Sequence, residues 1–388
     1  MAPINKKQPY EALYAVSLLT SYLIRVPYWV LISLLPSTRP RPSWTFFEAF
    51  IVHSNKFLFF GRCLPDGYQP EAVDVADIPE QKTLKKSHVV VIPPAKEKYL
   101  AGMATIDPSI VPISIPGYFF GDERERTKAL PGEKVWLLAH GGGYFDAHAR
   151  ENGWPCVQVF AMLRNSKTDK VLTFEYRLAP QAPWPAPLLD AISAYAYLVD
   201  DCGFEPQNIM IGGDSAGGHL ALALARYLRD EKTLPMPKCL LLNSPWSDFS
   251  VDAPAIDSDV LDMVAHGPVI RKLFAANGTI RHTSNPPSAT PTIDFSSPYF
   301  SPASTDSPPG SFTGFPTTLI TYGSAEAMMP EIMRLKEKMQ GDGVDVATVV
   351  GKDGMHDFVN MEFWNAKKRH AAWADIGRWV DKTLVGAQ

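Results

Sequence analysis

From about residue 88 onward, short β-prone apolar runs alternate with longer Ala- and Leu-rich runs, and no other feature restricts the fold as tightly. The strand-like pieces are HVVVIP (88–93), VPISIPGYFF (111–120), KVWLLAH (134–140), KVLTFEY (170–176), NIMIGG (208–213), KCLLLNSP (238–245), TTLITYG (317–323) and DVATVVGK (345–352). Helix-like stretches near 153–165, 187–201, 219–228, 331–339 and 364–384 fall between or after them. The strand runs are apolar throughout and do not alternate, which suits strands covered on both faces. Strand–helix alternation then predicts an α/β fold with a mainly parallel sheet flanked by helices. Residues 246–312 break the order. They are rich in Pro and Ser around one helix-like piece at 262–277. A structureless stretch of that length inside a compact domain is usually a lid or a binding loop. The expected organisation is an N-terminal cap region (1–87), a first part of the core (88–245), a cap or lid insertion (246–312) and a second part of the core (313–388).

The chain's 388 residues can hold one large domain, and its formal net charge of -4, with no basic stripe, argues against a nucleic-acid partner. Cys63, Cys156, Cys202 and Cys239 show no metal-type spacing and read as buried thiols of a reducing, cytoplasmic compartment. A single sequon at Asn277 carries no weight against that. Residues 12–36 are apolar and follow Lys6 and Lys7. Arg25 in their middle and Pro27 just after it argue against a clean membrane span. Two helical pieces packed on the protein itself, as part of the cap, are expected. Peripheral membrane contact through the same residues is the alternative.

The chemistry is written in IMIGGDSAGGHLALALA (209–225). A β run leads into Gly213-Asp214-Ser215-Ala216-Gly217, and a strong helix former follows. G-x-S-x-G at such a junction is either turn chemistry or a nucleophile elbow, in which a strained serine presents its hydroxyl between two uncrowded positions. An elbow needs a late histidine as base, an acid before it, and amides for a developing oxyanion. His356 lies in GKDGMHDF (351–358), after one strand, and Glu326 lies in GSAEAMMPE (323–331), after the strand before it. Ser215, Glu326, His356 is the required order. Glu331, Asp342 and Asp353 are the rival acids. AHGGGYF (139–145) closes another strand with three glycines, whose amides no side chain would screen from a bound carbonyl.

HGGGY, YRLAP (176–180) with PWPAPLLDA (183–191), GDSAGG and GMHDF stand in the order of a known family. Over about residues 88–385 the chain resembles the hormone-sensitive-lipase-like branch of the α/β-hydrolases, and around RPRPSWTFFEAF (39–50) it is similar to fungal members. The resemblance implies the α/β-hydrolase fold with a helical cap, Ser215 as nucleophile, His356 as base and Glu326 as acid. It also implies an oxyanion hole from the amides of Gly141, Gly142 and Ala216. The family's usual acid is Asp in an Asp-Pro-Leu-like motif, from which AEAMMPE departs. His140, Tyr176, Arg177 and Asp190 match positions that look structural. The expected activity is hydrolysis of a small-molecule ester through an acyl-enzyme, with no cofactor and no metal. An acyltransferase or thioester hydrolase of secondary metabolism would use the same groups. A non-catalytic ligand-binding protein on this fold is the remaining alternative, against which His356 itself speaks.

Overall fold

A computed structural model describes residues 8–63, 74–154, 156–179, 182–249 and 296–385. The helix-like piece at 262–277, Asn277 and most of the Pro-rich insertion lie outside the described residues.

Eight strands form one sheet in the order β1-β2-β4-β3-β5-β6-β7-β8. They are β1 (His88–Ile92), β2 (Ile115–Phe120), β3 (Val135–Ala139), β4 (Lys170–Phe174), β5 (Ile209–Asp214), β6 (Cys239–Asn243), β7 (Thr317–Gly323) and β8 (Val346–Gly351). β2 pairs antiparallel with β1 and β4, and all the later pairings are parallel. This is the mainly parallel sheet that the apolar runs predict, in the arrangement that the family resemblance implies. β2 begins four residues later than its apolar run, because 111–114 lie before the first ladder pair.

Each face of the sheet has its own core. One is filled from α4 (Ala186–Ala196), α5 (Ala216–Glu231) and α6 (Met329–Gly341), with Leu188, Leu220 and Leu335 among its buried members. The other is filled from α3 (Cys156–Asn165) and α7 (Ala366–Val385), through Val159, Met162, Trp373 and Ile376. Trp44, Ala49 and Val52 from the N-terminal region complete this second core.

The N-terminus departs from expectation. Residues Tyr10–Leu34 form one helix, α1, with Pro27 inside it, in place of two pieces. One proline removes a single helical hydrogen bond and need not end a long helix that packs on a neighbour. α1 rests on α2 (Phe46–Cys63), with Tyr22 and Trp29 against Phe57 and a Tyr22–Ser54 hydroxyl contact at 2.7 Å. Most of the remaining surface of α1 is exposed. The described ends of the 246–312 block fold back into the core. Phe249, Phe300 and Ala303 are buried there.

Candidate active site

Ser215 stands where β5 hands over to α5, with φ 51° and ψ -114°. This is left-handed backbone that a non-glycine residue adopts only when its surroundings impose it. The surroundings are the end of β3. A Cβ on Gly213 would run into the Ala139 carbonyl and the Gly217 backbone, and one on Gly217 into the carbonyls of Ala139 and His140. The two flanking glycines are therefore needed so that the turn can lie against β3. The strained backbone is held from both sides. Ser215 N–H donates to Asn243 O at 2.9 Å, and its carbonyl accepts from Trp246 N–H at 3.0 Å. The amino end of α5, with its partial positive charge, begins at the next residue.

His356 lies in the loop after β8 and Glu326 in the loop after β7, so all three residues sit at carboxyl ends of parallel strands, with β6 between β5 and β7. His356 Nδ1 is 3.8 Å from Glu326 Oε2, an ion-pair distance longer than a hydrogen bond. Burial pushes the imidazole down to about 4, which keeps it neutral and able to accept a proton. Glu326 is itself buried, and its Oε2 accepts from Ser244 Oγ at 2.6 Å and from Gly323 N–H at 3.3 Å. Ser244 Oγ also accepts from Asp357 N–H at 3.0 Å, so one hydroxyl ties the two loops together.

The rival acids are engaged elsewhere. Glu331 accepts from Ser247 N–H at 2.9 Å and is pushed up to about 8 by burial. Asp342 accepts from the amides of Gly310 and Phe312, both at 2.7 Å. Asp353 accepts from Ser43 Oγ at 2.6 Å. A carboxyl that sequence reasoning missed does reach the imidazole. Asp357, at φ 55°, places Oδ2 3.7 Å from His356 Nε2. It also lies beside Asp214, the residue before Ser215, so the histidine loop meets the elbow. The available signal was Asp beside the histidine, one of the few side chains that tolerate positive φ.

His140 stacks on Tyr176 with centroids 4.2 Å apart, and Tyr176 Oη donates to His140 O at 2.6 Å. Arg177 grips Asp190 through two nitrogens at 2.8 to 3.1 Å. These four residues hold the loop and helix around the glycines. Gly142 and Gly143 adopt φ 99° and 63°. Gly141 differs from expectation. Its N–H donates to Asp214 Oδ1 at 3.1 Å, so that amide already serves a carboxylate. Asp214 Oδ1 further accepts from Gln158 Nε2 at 2.6 Å.

A family model for the alpha/beta hydrolase fold matches residues 136–360, more than half of the chain. Among curated proteins, the chain is 28% identical over 217 residues to an acetyl-hydrolase of Streptomyces hygroscopicus, a match covering 55% of this chain and 64% of the relative. It is 27% identical to an esterase of Acinetobacter venetianus, over 62% of this chain and 72% of that one. A solved esterase from the bacterial hormone-sensitive lipase family superposes with a TM-score of 0.58 at 21% identity, covering 93% of this chain and 98% of that one. At that identity the likeness speaks for the fold. Together with the sheet order and the elbow at the end of β5, the family match places this chain in the α/β-hydrolase fold family.

Proposed function

We propose that this chain is a serine carboxylesterase of the hormone-sensitive-lipase-like branch, with Ser215, His356 and Glu326 as its triad. The observation that carries the reading is the strained Ser215 backbone, held by glycines against β3 where α5 begins. Relatives named as an acetyl-hydrolase and an esterase support the same chemistry. Ser215 Oγ attacks the ester carbonyl while His356 Nε2 takes its proton. The carbonyl oxygen becomes an oxyanion held by the amides of Gly142 and Ala216, with Gly143 in the place expected for Gly141, whose N–H is committed to Asp214. Collapse of the tetrahedral species expels the alcohol, which takes the proton from His356. Water then repeats the cycle on the acyl-enzyme, releasing the acid. Glu326 holds the imidazole so that Nε2 faces the serine.

Residues 88–245 and 313–388 would form the catalytic core, and 1–87 with 246–312 the region over it. The favoured substrates are short to medium acyl esters or a compact bulky ester, and α1 would provide peripheral membrane contact. The test is a series of p-nitrophenyl esters of increasing acyl length, with wild type and Ser215→Ala, alongside a phosphonate probe. Stoichiometric labelling at Ser215 and a fall in kcat of ~10⁶ in the variant are expected. Labelling at another serine, or activity that survives the substitution, refutes the reading.

A further inference from the structure

The loop that carries His356 is gripped on two sides, and one grip comes from the far end of the sequence. On the inner side is the turn that carries Glu326. Ser324 N–H donates to Gly351 O at 2.9 Å, Asp353 N–H donates to Ser324 Oγ at 2.8 Å, and Ala325 N–H donates to Gly354 O at 2.9 Å. On the outer side is the segment between α1 and α2. Ser43 Oγ donates to Asp353 Oδ2 and Trp44 Nε1 donates to Asp353 O, both at 2.6 Å. Asp353 has φ 56°, a left-handed conformation that a side chain other than glycine keeps only under constraint. Its two backbone hydrogen bonds and its carboxylate supply that constraint, three residues before His356.

The outer grip is itself firmly mounted. Trp44 is 1% exposed and meets Trp364 edge-on at 5.3 Å. Trp44 N–H donates to Arg41 O at 3.0 Å, and Arg39 Nη1 donates to Trp44 O at 2.5 Å. Thr45 and Glu48 cap α2 reciprocally, at 2.7 and 3.1 Å. The second oxygen of Glu48 accepts from Asn365 N–H at 2.9 Å, just before α7. The root of the hairpin thus touches both ends of the segment 353–365, within which His356 lies.

We propose that Ser43 and Trp44 are positioning residues for His356, acting through Asp353 to fix where the imidazole stands between Glu326 and the elbow. The proposal deepens the carboxylesterase reading and rests on it for its kinetic consequences. It makes the N-terminal hairpin a working part of the catalytic site, joined to it at a definite point.

The experiment compares wild type with Ser43→Ala/Trp44→Phe, which removes both donors and keeps a ring against Trp364. Ser43→Thr, which keeps the hydroxyl, is the conservative control. The readouts are the NMR titration of His356, kcat and KM on p-nitrophenyl butyrate, and thermal unfolding. The charged or titratable groups facing the imidazole are Glu326 at Nδ1, Asp357 at Nε2 and Asp214 behind Asp357. A loosened loop admits water, so the His356 titration should move up toward its ordinary value in the double variant. Its kcat should fall ~10-fold with KM unchanged, since misplacement of catalytic groups costs rate. Ser43→Thr should retain the wild-type titration and most of its rate. An unmoved His356 titration in the double variant overturns the proposal, as does a rate loss matched by an equal loss of folded protein. If the titration moves but wild type hydrolyses no ester, the clamp stands and the esterase reading falls.

Discussion

Glu326 and Asp357 approach the two nitrogens of one imidazole, at 3.8 Å from Nδ1 and 3.7 Å from Nε2, and only one of them can orient it for a serine. The surrounding donors separate their roles. Glu326 Oε2 accepts from Ser244 Oγ and Gly323 N–H, which fix that carboxylate on the Nδ1 side. Asp357 lies on the Nε2 side, beside Asp214. Asp214 accepts from Gly141 N–H and Gln158 Nε2, and burial holds it above the usual carboxylate range in spite of these donors. An imidazole whose Nε2 serves Ser215 must be oriented from Nδ1, where Glu326 stands. Glu326→Gln should lower kcat by ~10⁴, by analogy with other triads. Asp357→Asn should cost less than ~10-fold. Steady-state rates of the two variants decide, and the reverse pattern would assign the acid to Asp357.

At the scale of elements, the hairpin α1–α2 carries most of the exposed large hydrophobic side chains among the described residues. Leu13, Val16, Leu19, Leu23 and Leu31 are each more than half exposed and recur at helical spacing along one side of α1. The opposite side holds Tyr22 and Trp29 against Phe57, with the Arg25 guanidinium 5.0 Å over the same ring. The first 45 residues carry Lys6, Lys7, Arg25, Arg39 and Arg41 against Glu11 alone, in a chain whose net charge is -4. An apolar face with basic flanks suits the plane of an anionic bilayer surface. A span would have to strip α1 from α2 and bury Arg25. Wild type should therefore co-sediment with phosphatidylcholine–phosphatidylserine vesicles and be released by alkaline carbonate. Leu19→Glu/Leu23→Glu/Leu31→Glu should weaken sedimentation by at least ~10-fold with unfolding temperature unchanged. Equal sedimentation of variant and wild type would exclude this face as the contact. The strands were readable because burial on both sides leaves long apolar runs, and the placement of Ser215, Glu326 and His356 just beyond β5, β7 and β8 because each follows such a run in the sequence. α2 was passed over although Thr45 and Glu48 carry a capping-box spacing. The contacts of Asp357 and Ser244 and the Ser43–Asp353 bond were not readable, although Asp357 beside the histidine was a visible signal. Each depends on a contact across more than a hundred residues, or on the φ of a single one.

For the molecule as a whole, the same burial that prepares the site sets how its stability responds to pH. His140 and His356 are pushed down to about 4 and His219 to about 3, in each case by desolvation, from an ordinary 6.5. Glu175 is pushed up to about 7 and Glu331 to about 8, also by desolvation, from an ordinary 4.5. The two sets act with opposite sign. A histidine whose folded value is depressed binds its proton more readily when unfolded. Its contribution is complete above 6.5 and is lost as pH falls toward 4. A carboxyl whose folded value is raised keeps its proton more readily when folded. Its contribution is complete below 4.5 and is lost as pH climbs through 7 and 8. Between 4.5 and 6.5 the two sets oppose each other; His53 and His148, also lowered by burial, are matched by Asp190 and Asp214, also raised by it, and the three deeply buried histidines outnumber the two glutamates, so stability should rise gently with pH. Below 4.5 the histidines act alone and stability should fall steeply. Above 6.5 only the glutamates remain and it should fall again, more gently. Thermal unfolding followed from pH 3.5 to 9 should therefore peak at about pH 6.5. Glu331→Gln removes the longer of the two alkaline limbs, so its curve should flatten between about pH 6.5 and 8 and rise more steeply between 4.5 and 6.5, where one opposing carboxyl is gone. An unfolding temperature that climbs steadily from pH 5 to 9 in wild type would mean that these two carboxyls are ionised in the folded chain, and with that the account of its buried polar groups would fail.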